Sequence, residues 1–535
     1  MKTKNIIISI ILFSTNLCSA QILRFVDKEP VRYFNDIRPI PAPKSMEYER
    51  FDYYATVQAP LPRIRQVNAS RKRDALDVNS LDEVPASSWF LPRLGYQAIP
   101  PEELLNGIYE YGPPQPPISV IRVRHPEKNP RLFVQDSRGL FYLLKFDPPD
   151  FPGISTTTSF VVNRLFWSFG YHVPEDHLFF FKPNDIIIAA ESELDSLMLQ
   201  TILSRVAPPV NGEYRTSASR IIEGLPVGEA PEKGVREDDP NDWFPHEDRR
   251  SLRGLRVFCA LTNMVDISAD NLLDIYVGME NKGYIKHYIV DFDDAFGTHA
   301  ARNDQLWAGF NHLFSLKEII RNLVTAGFVI EDWETLEPMP WPSVGTFEGQ
   351  IFQPEKWKET HPFTPIRRSQ PTDDYWAAKI VSVLSREHLQ ILIDAAQYPS
   401  PSAATYIFYT LLKRQEKIVT YNFQRVSPLE FVNYKNSRLV LENQLKRFTA
   451  NSALTIIYEY TCFDDQGQKL SYPLQFRAAT DTIALPISDK VWTAARDYLV
   501  VGITAQQDRQ ATPAPARFHL IRRKNGEVRL VGVEH

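Results

Sequence analysis

Glycine is scarce in this chain, 22 residues in 535, against 41 prolines. The balance predicts rigid, extended connections between elements and few flexible linkers. Cysteine is scarcer still, with three residues. Cys18 falls in a leader-like start, which leaves Cys259 and Cys462 for at most one disulfide. Cys259 sits in the apolar helical pattern Val257, Phe258, Ala260, Leu261 and reads as a buried thiol. Neither sign of charge dominates. The formal net charge of −5 gives no reason to expect nucleic acid or an acidic membrane surface as the main partner. Beyond the N-terminal leader no run is apolar and long enough to span a membrane. There is no internal repeat, no low-complexity tract, no Walker loop and no Gly-x-Ser-x-Gly elbow. No His-Glu-x-x-His pair follows His246, which reads as a helix-start residue.

What is present is globular. The 43% hydrophobic and 12% aromatic content excludes a disordered chain, and the length predicts two to four units. Lys2 and Lys4, the apolar run Ile6–Phe13 and the small-residue site Cys18-Ser19-Ala20 predict a secretory signal over residues 1–20. The mature chain would begin at Gln21, be exported to the periplasm or outside the cell, and carry no membrane span. Residues 21–112, rich in Pro, Tyr and charge, read as an extension with a short helix near Pro101–Ile108.

Residues 113–230 read as strands around one helix. Arg131–Val134 and Leu140–Phe146 flank a hairpin turn, Thr156–Phe169 is a helix stopped by Gly170, and Asp176–Phe181 and Ile186–Ala190 are further strands. Residues 231–432 read as mainly helical. An amphipathic helix over 246–264 carries Arg249, Arg250, Arg253 and Arg256 as a solvated face pairing with Glu247 and Asp248. The strands Leu272–Val277 and Tyr284–Val290 follow, then a Pro- and Trp-rich insertion at 333–365 whose tryptophans read as core. Residues 433–535 alternate as short strands and predict an appended β-sandwich-like domain. The fold class expected is α+β.

The chemistry is concentrated in Asp266-Ile-Ser-Ala-Asp-Asn271 and in Asp291-Phe-Asp293-Asp-Ala-Phe-Gly297. The first follows a helix, the second a strand. Phosphoryl transfer needs a carboxylate beside the acceptor hydroxyl and oxygen ligands that hold Mg²⁺ against nucleotide phosphates. An Asp and an Asn in one loop can divide those tasks, with a further Asp at the end of the next strand. The order resembles the atypical branch of the protein-kinase superfamily, including phosphoinositide kinases, HipA-type kinases and secreted Golgi casein kinases. The wider pattern (Leu-Lys-Phe-Asp-Pro-Pro, Gly-Tyr-x-Val-Pro-Glu, Arg-Gly-Leu-Arg-Val-Phe) resembles a group of exported bacterial proteins.

The resemblance implies a two-lobed kinase-like core, with residues 113–230 as its N-lobe and 231–432 as its C-lobe. It implies Asp266 as the catalytic carboxylate, Asn271 and Asp291 as Mg²⁺ (or Mn²⁺) ligands with Asp293 as an additional one, and Lys145 on the phosphates of ATP or another nucleotide. The acceptor, protein or small molecule, is unspecified. Two parts depart from that pattern. No glycine loop precedes Lys145, where Ile121–Pro130 offers Arg122, Arg124 and Lys128 and reads as a solvated basic edge. The helix after Lys145 has Ser159 where a pairing glutamate belongs, with Glu175 and Asp147 as substitutes. A degenerate kinase serving as a binding module is therefore the competing expectation. A second is a haloacid-dehalogenase-type phosphatase, which the Asp291-x-Asp293 pair also resembles.

Overall fold

The computed structural model describes residues 24–27, 34–44, 73–124, 130–190, 192, 194–279, 281–298, 301–313, 320–321, 323–325, 328, 330–450, 453–507 and 512–535. The expected signal segment 1–20, the start at Gln21 and Lys128 lie outside the described residues. Among them no helix is long and apolar enough to cross a membrane. The architecture is mixed α+β, with four sheets among the described residues.

The largest sheet has six strands in the order β4-β6-β3-β2-β1-β5. These are β1 (Ile118–Arg124), β2 (Arg131–Gln135), β3 (Phe141–Phe146), β4 (Asp176–Phe181), β5 (Ile186–Ile188) and β6 (Tyr214–Arg220). All neighbours are antiparallel except β1 with β5. Alternation gives the sheet two unlike faces. Val120, Leu132, Leu144, Phe146, Phe179 and Ala218 form an apolar core that includes Ile202 and Leu203 of α3 (Ser196–Leu203). The other face carries Lys145 and Ser217, directly opposite each other, with Asp176 along it.

Helix α2 (Ile154–Phe169) packs on β3, β4 and β6. Its start is fixed by Asp147, whose carboxylate accepts from the Ser155 and Thr156 backbone N–H groups at 2.8 and 3.0 Å and from the Thr156 hydroxyl at 2.7 Å. Gly170 ends it in the left-handed region, φ 115, with its N–H on the carbonyls of Phe166 and Trp167. The helix is buried on nearly every side. Its Phe160, Leu165, Phe166 and Phe169 join a core shared with helices α5 (Leu255–Thr262), α7 (Pro371–Ser382), α8 (Arg386–Ala395) and α9 (Pro401–Phe423). Trp89, Phe90, Leu94 and Leu104 from the expected extension belong to the same core. Leu104 lies on α1 (Pro101–Asn106).

The expected helix over 246–264 is three pieces: a 3₁₀ turn His246–Asp248, α4 (Arg250–Arg253) and α5. The first break falls at Arg249, whose backbone is extended, and the second at Gly254, where the Trp376 ring lies so close that a Cβ would stand 2.6 Å from it. The arginine face is not solvated. Arg249, Arg250 and Arg253 are buried, each against acids brought in by the fold. Arg249 meets Asp242 at 2.6 Å, Arg250 meets Asp82 at 2.6 Å and Asp373 at 3.1 Å, and Arg253 meets Asp248 at 2.7 Å and Asp373 at 3.4 Å. His246 is buried and bonded to Asp242 at 2.7 Å. Both Cys259 and Cys462 are buried free thiols.

A three-stranded antiparallel ribbon, β7 (Leu225–Glu229), β8 (Leu272–Val277) and β9 (Tyr284–Ile289), follows the large sheet in sequence, with α4 and α5 between its first two strands. The C-terminal residues form two further sheets around one core. Strands β10 (Leu429–Lys435), β11 (Arg438–Asn443) and β14 (Thr482–Pro486) make one. Strands β12 (Ile456–Phe463), β13 (Leu474–Ala478), β15 (Tyr498–Gln507), β16 (Ala516–Arg522) and β17 (Val528–Glu534) make the other. The β unit begins at β10, a few residues before the expected boundary.

Asp82 joins three parts of the chain. It pairs with Arg250 on α4 and with His535 Nδ1 at 2.8 Å. Burial raises its pKa, but Arg250 and His535 outweigh that and lower it to about 2. The stability this adds is full above the unfolded carboxylate pKa of about 3.9 and is lost as pH falls through the folded value. It amounts to about 2 kcal/mol. In Asp82→Asn, whose side chain also tolerates the left-handed φ of 62, denaturant midpoints followed down the acid range should fall less steeply than in wild type. An unchanged acid slope would remove Asp82 from this role.

Candidate functional site

Lys145 on β3 stands opposite Arg131 on β2 and Ser217 on β6. Arg131 in turn stands opposite Arg124 on β1. Directly opposed residues share a face, so three cations form one row across β1, β2 and β3. Lys145 is only 7% exposed. Its ammonium donates to the Asp291 carboxylate and to Asp293 Oδ1 at 3.2 Å. Arg131 lies 3.5 Å from the second oxygen of Asp291.

Asp291 follows β9 with a left-handed backbone, φ 65, a conformation Asp tolerates better than most residues and one that recurs at functional sites. The Val290 N–H donates to the Asn271 carbonyl at 2.9 Å and ties this turn to the Asp266–Asn271 loop. The Thr298 hydroxyl donates to the Asp293 carbonyl at 2.6 Å, and the Phe296 N–H to the Thr262 carbonyl at 2.7 Å. Gly297 closes the turn at φ 71, and a Cβ there would collide with the Thr346 backbone.

Asp266 follows α5, which Asn263 ends in the left-handed region, φ 48. Buried Val265 and Ile267 anchor the loop on either side of it, and the Thr360 N–H donates to the Val265 carbonyl at 2.7 Å. Asn271 ends a 3₁₀ turn, Ala269–Asn271, whose Ser268 N–H and hydroxyl both donate to Asn271 Oδ1 at 3.1 Å. The oxygen a metal would use is thus committed to the turn.

These pieces bound one cleft of about 170 Å³, lined by Arg131, Lys145, Ser155, Asp266, Asn271, Asp291, Asp293 and Asp294, with Phe146 and Ala301. All five residues singled out in the sequence line it. Its electrostatics are divided. Burial opposes ionisation of Asp291, but Lys145 and Arg131 hold its carboxyl well below the usual range. Asp293 is pushed up to about 6, first by burial and then by the Asp291 charge. Asp294 is raised by burial and then by Asp293, Asp266 and Asp291. Burial disfavours the Lys145 charge, but Asp291 and Asp293 outweigh it and raise its pKa. Carboxylates therefore outnumber the cations that neutralise them.

The carboxylate and amide oxygens of the cleft suit a hard divalent cation in their chemistry. The side chains as they stand hold Lys145 in place of one. Among the described residues, no group of three or more His, Cys, Asp or Glu is arranged to hold a metal ion.

The two substitutes for the missing glutamate serve elsewhere. Asp147 caps α2, and Glu175 accepts from the N–H groups of Tyr111 and Gly112 and pairs with His177. Ser159 donates at 2.9 Å to Asp176, a buried carboxylate on β4 that feels the Lys145 charge and whose Oδ1 has no hydrogen-bond partner. Sequence reasoning missed Asp176, Asp294, Arg131 and Ser155. Arg131 was accessible in principle, since the hairpin turn sets its register against Lys145. Ser155 carried no local signal. No family model matches the chain, and no curated protein matches it.

Proposed function

We propose that the chain is an exported atypical-kinase-like protein with a two-lobed core, transferring a phosphoryl or nucleotidyl group to a hydroxyl-bearing acceptor with Mg²⁺ (or Mn²⁺). The observation that carries this reading is the reach of Lys145 from the central strand of the large sheet to Asp291 and Asp293, across a cleft that Asp266 and Asn271 also line. Lys145 and Arg131 supply the positive charge a triphosphate needs. Asp291 and Asp293, with Asn271 after a turn of its amide, are the oxygens that would hold the divalent ion. That ion, when bound, would neutralise charge on the transferring group. Asp266 accepts the acceptor's proton or orients its hydroxyl, and the buried loop around it keeps that carboxylate in place.

One observation favours a second reading, a degenerate kinase that binds without transfer. Lys145 already occupies the carboxylates, and Asn271 Oδ1 is turned to Ser268. Thermal-shift titration of the full mature chain with ATP and Mg²⁺ tests the first reading. A raised midpoint that needs both components is the expected result, and no shift with any nucleotide would sink it. Asp266→Asn separates the two readings. In an enzyme it should cut transfer by about 10²–10⁴-fold while leaving the shift intact. Nucleotide binding with no transfer in wild type selects the binding module.

A further inference from the structure

Like charges directly opposite on a sheet are destabilising, yet Arg124, Arg131 and Lys145 occupy one row on β1, β2 and β3. Asp291 compensates only part of this. Its charge raises the pKa of Arg131, whereas for Arg124 burial and the Arg131 charge beside it outweigh the Asp291 charge and lower it. Ser155, on the first turn of α2, lines the same cleft as Arg131 and Lys145. Ser155 is 2% exposed and its Oγ has no hydrogen-bond partner among the described residues. A buried hydroxyl left unpaired costs roughly 1–3 kcal/mol, so its retention in a cleft that two cations also line points to a ligand oxygen. The first N–H groups of α2 do not supply that role, because Asp147 has taken those of Ser155 and Thr156.

We infer that Arg131, Lys145 and the Ser155 hydroxyl form a phosphate clamp, with Arg124 at its outer edge, in the place where a glycine loop would otherwise wrap a polyphosphate. The inference rests on the nucleotide reading above and deepens it. A glycine loop holds phosphates with backbone N–H groups that a Cβ would obstruct. Here side chains do the work, Arg131 and Lys145 from strands and Ser155 from the first turn of α2, which removes the need for glycine. Arg131 offers a planar fork of donors suited to two phosphate oxygens, Lys145 a point charge, and Ser155 one O–H donor. Asp291 and Asp293 compete with the ligand for both cations, so the clamp is strongest when a divalent ion accompanies the phosphate. The basic strands are then a binding surface, not a solvated edge.

The test is calorimetric titration of the full mature chain, with Mg²⁺, using ATP, inorganic tripolyphosphate and adenosine. Arg131→Gln should weaken ATP and tripolyphosphate by about tenfold, and Ser155→Ala by a few-fold, with adenosine unchanged in both. Arg131→Lys should recover part of the loss, which shows that the loss in Arg131→Gln is not misfolding. Wild type that binds ATP and tripolyphosphate no more tightly than Arg131→Gln and Ser155→Ala overturns the clamp and leaves the nucleotide reading standing. Wild type that binds neither ligand overturns both.

Discussion

Asp291→Asn should abolish the rise in melting temperature produced by ATP with Mg²⁺ and lower any transfer rate by about 10³-fold or more. Asn is the informative replacement because it keeps the size of the side chain and its tolerance of the left-handed backbone at this position. Alanine would add backbone strain to loss of charge. Three consequences follow from the one missing charge. Lys145 loses its closest partner and keeps its bond to Asp293. Arg131 loses the principal group that raises its pKa. Asp293 loses the neighbour that, after burial, does most to push it up. The cleft thus becomes less able to hold a cation through Asp291 while Lys145 and Arg131 remain available to an anion. The variant should therefore retain weak binding of tripolyphosphate without Mg²⁺ and lose the gain that Mg²⁺ gives wild type. A full ATP and Mg²⁺ shift in Asp291→Asn would show that this carboxylate is not part of the site.

The largest effect on stability should come from Asp373→Ala, about 3–5 kcal/mol. Asp373 is 1% exposed, on the first turn of α7. Its two oxygens lie 3.1 Å from Arg250 Nε and 3.4 Å from an Arg253 guanidinium nitrogen, and Oδ2 also accepts from the Gln370 N–H at 3.0 Å. Both arginines are themselves buried. Removing the carboxylate leaves two interior guanidinium groups short of a counter-charge and one helix-start N–H unsatisfied. Losing one partner of a buried charge group costs more than the group adds relative to an apolar isostere. Urea unfolding measures the difference, with an unchanged slope showing that the native state stays compact. A double variant with Arg253→Met should recover part of the loss. A change below about 1 kcal/mol in Asp373→Ala would mean that Asp82 and Asp248 suffice for both arginines.

The strand and helix content of the large sheet and the order of chemical groups along the chain were legible in the sequence. Period-2 and period-3.6 patterns with glycine stops fix β2, β3, α2, β4, β8 and β9 within a few residues, because each element answers to local rules. The helix over 246–264 departed from its pattern at Arg249, whose backbone is extended, and again at Gly254. The Trp376 ring that packs against Gly254 comes from more than a hundred residues away in sequence, which no local period records. The arginines of that segment followed the same rule. Local neighbours Glu247 and Asp248 suggested a solvated face, and the counter-charges that bury Arg250 are Asp82 and Asp373.

The sequence by itself determined that Lys145, Asp266, Asn271, Asp291 and Asp293 occur on elements that can present them, in the order set out above. Tertiary structure alone decided that Lys145 meets Asp291 and Asp293, that Asn271 Oδ1 serves Ser268, and that Arg131 and Ser155 enter the same cleft. The physical reason is that ion pairs act through space. Lys145 and Asp291 lie 146 residues apart in the chain, and only the packing of the large sheet against the loops that follow α5 and β9 sets which charge each one faces.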